Sequence, residues 1–315
     1  MSGGEDEAIE PVEVRVPGPG WGPAVRGLFP DAGIRTVVDD GPDAAPGPRC
    51  LVVSREEAGF RLRGGPEGDG GSRDGGAGGG RPRRSGGEDG RGPLLASPGE
   101  AIAALELALA RTLLRDQAHR VQLHAAGARI GETGVVALGS AGAGKSSLAL
   151  SWSLDGHPLL GDDAVLVDGE GRARPFRRLV KADVERLSEH GIRPEETHAW
   201  EPGWREAWFD PGPAGGWCRE ACRVGLVALL ERRDGGPGDT VEATRLPAPD
   251  ALAALLESAL PSGLTGAASV DPLRRLLDGC RSVRLSYASS RDAARFLAGE
   301  AGGRDGTESD GEERA

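Results

Sequence analysis

Lysine is almost absent from this chain of 315 residues, because only Lys145 and Lys181 among its 38 basic residues are lysine and the others are arginine. Acidic residues number 49, which leaves a formal net charge of −11. A chain with this excess of negative charge is a poor candidate for binding polyanions, so we expect no nucleic-acid partner.

Cysteine and long apolar runs are also scarce. The four cysteines are too few for a disulfide scaffold, and Cys218 and Cys222 lack the second pair of ligands that a zinc site requires. No apolar stretch approaches the ~20 residues of a membrane span, and the first residues do not form a targeting signal. We therefore expect a soluble, cytoplasmic protein with no membrane partner.

Glycine (52) and proline (23) are abundant, together 75 of the 315 residues. Residues 64–93 hold 14 glycines in 30 positions and no large apolar side chain. Such a segment cannot offset the entropy lost when a chain becomes ordered. We predict a disordered insert at 64–93 and, on similar grounds, a disordered acidic tail at 302–315.

The remaining sequence indicates two folded parts. Clustered β-forming residues at 12–16, 35–40 and 50–64 predict a small β-rich N-terminal lobe over 1–63. After the insert, Ser97, Pro98 and Glu100 form a helix-start pattern, and apolar residues then recur at helical spacing for about 18 residues. From Val121 onward strands alternate with helices, which predicts an α/β domain over 94–301.

Three local interpretations accompany this division. Residues 181–190 predict a helix that ends at Gly191, and Asp271 with Pro272 predicts the cap and first position of another helix. Trp200, Trp204 and Trp208 have helix-like spacing, although Pro202 opposes a regular helix through all three. Packing in a core or lid and a platform for a substrate both stay open for these tryptophans.

The strongest motif lies directly after the apolar strand VVAL and opens a helix. It reads GSAGAGKS and fits G-x-x-x-x-G-K-[ST], the phosphate-binding loop called Walker A. Glycines let backbone N–H groups surround phosphates, the lysine reaches the outer phosphates, and the serine hydroxyl ligates magnesium. With this chain's own composition, roughly 0.005 chance matches are expected. The predicted nucleotide-binding residues are Gly139, Ser140, Ala141, Gly142, Ala143, Gly144, Lys145, Ser146 and Ser147.

Two weaker signals flank this loop. Asp162 and Asp163 could form an ordinary turn, or they could divide two roles at a nucleotide site, one holding magnesium and one accepting a proton. His124 could be a structural histidine in a strand. Neither the aspartate pair nor the histidine can be assigned a functional role from its own position alone.

The order and spacing of His124, GSAGAGKS, the Gly156-His157 turn and Asp162-Asp163 resemble the catalytic domain of HPr kinase/phosphorylase. The resemblance is strong over 121–168 and weak beyond. It implies that Lys145 binds the transferring phosphoryl group and that Asp163 is the catalytic base. It further implies that Ser146 and Asp162 hold magnesium and that His124 lies beside the nucleotide phosphates.

The chain also departs from that family. Ala125 follows His124 where the family has glycine, and the family's downstream E-I-R-G segment has no recognisable copy, residues 203–211 being only a vague candidate. These differences are more typical of the divergent kinases of the family, some of which act on peptides or small molecules.

The sequence thus predicts an α/β, P-loop-containing, HPr-kinase-like catalytic domain with a small β-rich N-terminal lobe. The expected activity is that of an ATP- and Mg²⁺-dependent kinase acting on a hydroxyl of a protein, peptide or small molecule. A nucleotide-binding regulatory module and an NTPase without an acceptor are the alternatives. The acceptor and the formation of a homo-oligomer stay open.

Overall fold

The computed structural model describes residues 11–17, 21–29, 34–38, 49–56, 59–64, 94–198, 205–235 and 240–302. The predicted insert beyond Gly64 and the predicted tail beyond Gly302 lie outside these residues, as do Trp200 and Trp204. Among the described residues, no helix combines the length and the apolar character needed to cross a membrane.

The described elements form a mixed α/β structure with several sheets. The strands are β1 (Val12–Val16), β2 (Ile34–Val38), β3 (Cys50–Glu56), β4 (Gly59–Gly64), β5 (Leu94–Leu95), β6 (Val121–Leu123), β7 (Ala126–Ile130), β8 (Thr133–Leu138), β9 (Leu159–Gly161), β10 (Val165–Val167), β11 (Ala173–Arg174), β12 (Val180–Asp183), β13 (Thr197–His198), β14 (Glu206–Phe209), β15 (Val224–Arg232), β16 (Glu242–Arg245) and β17 (Arg281–Tyr287). The helices are α1 (Trp21–Leu28), α2 (Pro98–Asp116), α3 (Lys145–Leu154), α4 (Val184–Glu189), α5 (Ala248–Glu257), α6 (Ala267–Leu277) and α7 (Ser290–Gly302).

The chain packs into two compact units, and neither is continuous in sequence. The first unit comprises Met1–His119 and Arg177–Phe209, and the second comprises Arg120–Phe176 and Asp210–Ala315. This division differs from the predicted boundaries, because it groups 94–119 and 177–209 with the N-terminal strands. The assignment of residues 94–301 as one catalytic domain stays a prediction.

The N-terminal part of the first unit is a five-stranded sheet in the order β2-β1-β3-β4-β5. Strand β1 pairs in parallel with β2 and β3, and β3, β4 and β5 pair antiparallel. The predicted strands at 12–16 and 50–64 are confirmed. In β1 the alternate residues Val12, Val14 and Val16 are buried, as the period of two requires of a strand with one buried face.

Helix α2 begins at the predicted start pattern. Ser97 Oγ accepts a hydrogen bond from the Glu100 backbone N–H at 3.2 Å, and Pro98 occupies the first helical position. The Glu100 carboxylate accepts from the Ala96 N–H at 2.7 Å, one residue before the cap, so the reciprocal bond of a capping box is displaced. The predicted apolar stripe of this helix, including Leu105 and Leu109, is buried.

Residues 177–209 contribute a three-stranded sheet in the order β12-β14-β13. The helix predicted over 181–190 is only partly correct, because Lys181 lies in β12 and the helix begins at Val184. Trp208 lies in the strand β14 and is fully buried, so the helix that the spacing of the tryptophans suggested is not formed at this residue. The Lys181 Nζ lies 3.0 Å from Glu206 Oε2 and 5.6 Å from the centre of the Trp208 ring.

The second unit is built on a six-stranded sheet in the order β16-β17-β15-β8-β7-β9. Strands β17, β15 and β8 are parallel, whereas β16, β7 and β9 run antiparallel to their neighbours. A smaller antiparallel sheet in the order β11-β10-β6 shares the same apolar core, which includes Leu138, Leu160 and Val165. The mixed α/β character predicted after Val121 is confirmed, but strict alternation is not, because β9, β10, β11 and β12 follow one another without a helix between them.

The start of α6 differs from the prediction. The helix begins at Ala267, and Pro272 lies inside it, so the proposed cap at Asp271 is wrong. Gly266 precedes the helix with φ +57°, and its carbonyl accepts bonds from the Ser269 N–H and hydroxyl. This glycine sets the helix start, because the left-handed backbone region favours glycine over other residues.

Replacing Ser97 with alanine should lower the stability of the first unit by about 1 kcal/mol, because the Glu100 N–H loses its capping acceptor. Ser97→Asp is the matched control, since it retains an acceptor at the cap. Thermal unfolding followed by circular dichroism should show a lower midpoint for Ser97→Ala than for Ser97→Asp. Equal midpoints for the two variants would contradict a capping role.

Candidate functional site

The loop of residues 139–144, here called the glycine loop, joins β8 to α3 where the parallel strands end. A Cβ atom on Gly139 would lie 2.8 Å from Ala143 Cβ and 3.2 Å from Leu230 Cβ in β15. A Cβ atom on Gly144, which has φ +96°, would lie 2.5 Å from the Tyr287 hydroxyl oxygen at the end of β17. A side chain would therefore not fit at either position. Gly144 also has a backbone conformation that residues other than glycine rarely adopt.

The middle of the glycine loop faces solvent. Ser140, Ala141 and Gly142 are exposed, and the Ala143 N–H donates to the Ser140 carbonyl at 3.1 Å, which closes the turn. Beyond the loop, Ser146 is partly exposed whereas Ser147 is buried. The exposed backbone lies at the carboxyl edge of parallel strands, where ligands bind in open α/β sheets.

Lys145, the first residue of α3, turns back over the glycine loop. Its Nζ donates hydrogen bonds to the Gly139 carbonyl at 2.6 Å and to the Ser140 carbonyl at 3.1 Å, and the residue is only 7% exposed. Burial lowers the pKa of Lys145, and the negative charge of Asp163 opposes this effect.

His124 and Asp163 form a pair, and Asp163 is the carboxylate whose charge acts on Lys145. His124 Nδ1 lies 2.9 Å from Asp163 Oδ1 and 3.1 Å from the Asp163 carbonyl oxygen. Both side chains are about 40% exposed, at 40% and 43%. The backbone N–H of His124 donates to the Ser258 carbonyl at 2.7 Å, which fixes the histidine from the other side.

Two neighbouring crossovers between the sheets bring this pair together. Strands β6 and β10 pair in the three-stranded sheet, and β7 and β9 pair in the six-stranded sheet. The chain passes between the sheets at His124 and Ala125, and again at 162–164. Because both passages leave from paired strands and enter paired strands, His124 and Asp163 have to lie side by side.

The acidic turn separates its two carboxylates. Asp162 is 2% exposed, whereas Asp163 is nearly half exposed, so the two adjacent residues face different environments. Gly161 precedes them, and a Cβ atom there would overlap the carbonyl oxygen of Ala164. The turn therefore depends on glycine at this position.

The cysteines of the second unit are free thiols. Cys218 and Cys222 are buried free thiols, and burial raises the pKa of Cys222 to about 12. Within the described ranges, no group of three or more histidine, cysteine, aspartate or glutamate side chains is arranged to hold a metal ion. The predicted magnesium residues, Ser146 and Asp162, offer one hydroxyl and one carboxylate.

One residue of the site was missed by the sequence analysis. The Tyr287 hydroxyl donates to the carbonyl of Ala143 in the glycine loop. The two residues are 144 positions apart, and no local pattern joins them. The only signal available was that this is the single tyrosine of the chain.

Comparison with known proteins does not assign this chain to a family. No family model matches the chain, and no curated protein matches it. Among solved structures, a match is found to the Hpr(Ser) kinase/phosphatase from Coxiella burnetii, at 14% identity and a TM-score of 0.27, covering 56% of this chain and 91% of that one. This is a weak and distant likeness at the level of the fold, and it carries no argument about activity.

Substitution of Gly161 by alanine should destabilise the second unit by about 1–3 kcal/mol, because the added methyl group overlaps the Ala164 carbonyl. Gly169→Ala is the matched control, since no atom lies within 4 Å of its added Cβ. Urea unfolding should show a reduced midpoint for Gly161→Ala, with Gly169→Ala within ~0.5 kcal/mol of wild type. If both variants behaved alike, the acidic turn would have more freedom than its packing indicates.

Proposed function

We propose that this chain is an ATP- and Mg²⁺-dependent kinase that transfers the γ-phosphate to a hydroxyl of a protein, a peptide or a small molecule. The observation that carries the proposal is the glycine loop with Lys145 bonded back to two of its carbonyls, in the same compact unit as the His124–Asp163 pair. A lysine on a glycine-rich turn at a helix start suits phosphate binding. A half-exposed carboxylate whose charge acts on that lysine suits the removal of a proton from an acceptor.

The glycine loop is the proposed phosphate site. Its exposed backbone and its position at the start of α3 offer N–H groups and the positive end of a helix to an anion. The Lys145 amine can exchange its neutral carbonyl partners for charged phosphate oxygens, which are stronger acceptors.

Ser146 and Asp162 are the residues that would hold magnesium. A hydroxyl and a carboxylate are the oxygen ligands that this ion prefers, and it commonly binds through one or two protein groups together with substrate phosphates. Ser146 directly follows the proposed phosphate-binding lysine, and its hydroxyl with the Asp162 carboxylate is the donor set that we propose for the ion. When bound, magnesium would neutralise charge on the phosphates.

In the transfer step, the acceptor hydroxyl would lose its proton to the Asp163 carboxylate while its oxygen bonds to the γ-phosphorus. The bond from that phosphorus to the bridging oxygen breaks, and ADP leaves with the bonding electron pair. His124 would orient the carboxylate through its 2.9 Å contact. Lys145 would stabilise negative charge on the phosphoryl group, because such transfer is catalysed mainly by positioning and charge neutralisation.

Lys145→Ala should abolish measurable nucleotide binding, since it removes the cation that faces the phosphates. Lys181→Ala is the matched control, because it removes the chain's only other lysine, which is paired with Glu206 in the first unit. Calorimetric titration with Mg–ATP should show binding by wild type and Lys181→Ala only. Unchanged affinity in Lys145→Ala would exclude the proposed phosphate site.

Asp163→Asn should separate a kinase from a nucleotide-binding module or an NTPase without an acceptor. Loss of the base should slow phosphoryl transfer by a factor of roughly 10² to 10⁴ while Mg–ATP affinity stays within a few-fold of wild type. The measurement is transfer of label from γ-labelled ATP to serine-containing peptides, small alcohols and a cell extract.

Each of the three candidate functions predicts a different outcome of this labelling assay. Label on a hydroxyl with wild type and its loss with Asp163→Asn would support the kinase. Tight Mg–ATP binding without labelled product on any acceptor would favour the regulatory module, and release of labelled phosphate alone would favour the NTPase.

A further inference from the structure

The hydroxyl of Tyr287 lies directly beneath the glycine loop. Tyr287 is the last residue of β17, its side chain is fully buried, and its hydroxyl donates to the Ala143 carbonyl. A buried tyrosine hydroxyl needs a hydrogen-bond partner. Here the partner is a backbone group of the loop rather than an atom of the apolar core.

This hydrogen bond has a consequence for the next backbone N–H. The Ala143 carbonyl and the Gly144 N–H belong to one peptide unit, and in a trans peptide these two groups point in opposite directions. When Tyr287 holds the carbonyl toward itself, the Gly144 N–H is directed away from the tyrosine. Rotation of this peptide would break the bond to the buried hydroxyl.

We infer that Tyr287 is a positioning residue for phosphate binding, which presets the Gly144 N–H of the glycine loop toward an anionic phosphate; this inference rests on the proposed function. Its contribution is preorganisation, because a peptide fixed before binding does not have to be ordered by the ligand. Tyr287 itself does not touch the phosphate.

The surroundings of Tyr287 make this support rigid. A Cβ atom on Gly144 would lie 3.3 Å from Ser290 Oγ at the start of α7, in addition to its overlap with the tyrosine hydroxyl. Helix α7 is tied to α3 by a hydrogen bond of 3.2 Å from Trp152 Nε1 to the Ala294 carbonyl. The loop, the tyrosine and both helices are therefore held against one another.

Tyr287→Phe tests the inference, because it removes the hydroxyl and keeps the ring that fills the core. Loss of one orienting hydrogen bond should weaken Mg–ATP binding by about three- to tenfold. The same factor should apply to Mg–tripolyphosphate, which has phosphates but no base or sugar. Ser269→Ala is the matched control, since it removes a buried hydroxyl that donates to a carbonyl, that of Gly266, at 2.8 Å.

A second measurement follows the tyrosine of the wild-type chain directly, with Lys145→Ala as its negative control. Tyr287 is the only tyrosine, so ring-labelled tyrosine gives a single carbon resonance from the ring position that bears the hydroxyl. Titration with Mg–tripolyphosphate should move this resonance, with saturation at the concentration that calorimetry gives. In Lys145→Ala the resonance should stay in place.

The outcomes distinguish this inference from the proposed function. If wild type binds neither Mg–ATP nor Mg–tripolyphosphate, both are overturned. If wild type binds both but Tyr287→Phe matches its affinity, or the tyrosine resonance does not move on saturation, the positioning role alone is overturned. Equal weakening by Tyr287→Phe and Ser269→Ala would also overturn it, because the effect would then reflect general destabilisation.

Discussion

The site depends on the lack of space between the glycine loop and the strands beside it. Gly139 lies against Leu230 in β15, and Gly144 lies against Tyr287 at the end of β17. Only backbone without side chains can pass between them, and this close passage leaves the middle of the loop exposed to solvent. The parallel order β17-β15-β8 is what places these two supports beneath the loop.

A second constraint positions the polar side chains. His124 and Asp163 lie in neighbouring crossovers between two sheets, and each is held by backbone as well as side-chain contacts. Residues in short connections between paired strands have little conformational freedom. The pair can therefore be partly exposed and still have a defined geometry, which is the combination that a group reacting with a soluble acceptor needs.

The sequence was informative where structure is local. The strand and helix that flank the glycine loop, and the start of α2 at Ser97, were predicted because glycine spacing, capping residues and apolar periodicity act over a few positions. The contact between His124 and Asp163 was not predicted, because the family resemblance implied a separate role for each residue and spacing alone left a turn and a structural histidine open.

The failures arise from contacts between distant parts of the chain. Nothing local shows that residues 177–209 return to the N-terminal unit, or that Trp208 belongs to a strand. The start of α6 was misplaced because proline usually marks a first turn, whereas Gly266 sets the start here. Tyr287 carries no motif, and its importance becomes visible only when β17 is placed next to β15.

The state of Lys145 connects the fold to the proposed chemistry. A buried amine is costly unless its charge is compensated, and here two carbonyl oxygens and the field of Asp163 provide the compensation. Burial lowers the pKa of Lys145, which is the direction expected when the charged form of an amine loses contact with water. A ligand with more negative charge than one carboxylate would complete the compensation, and a polyphosphate has this property.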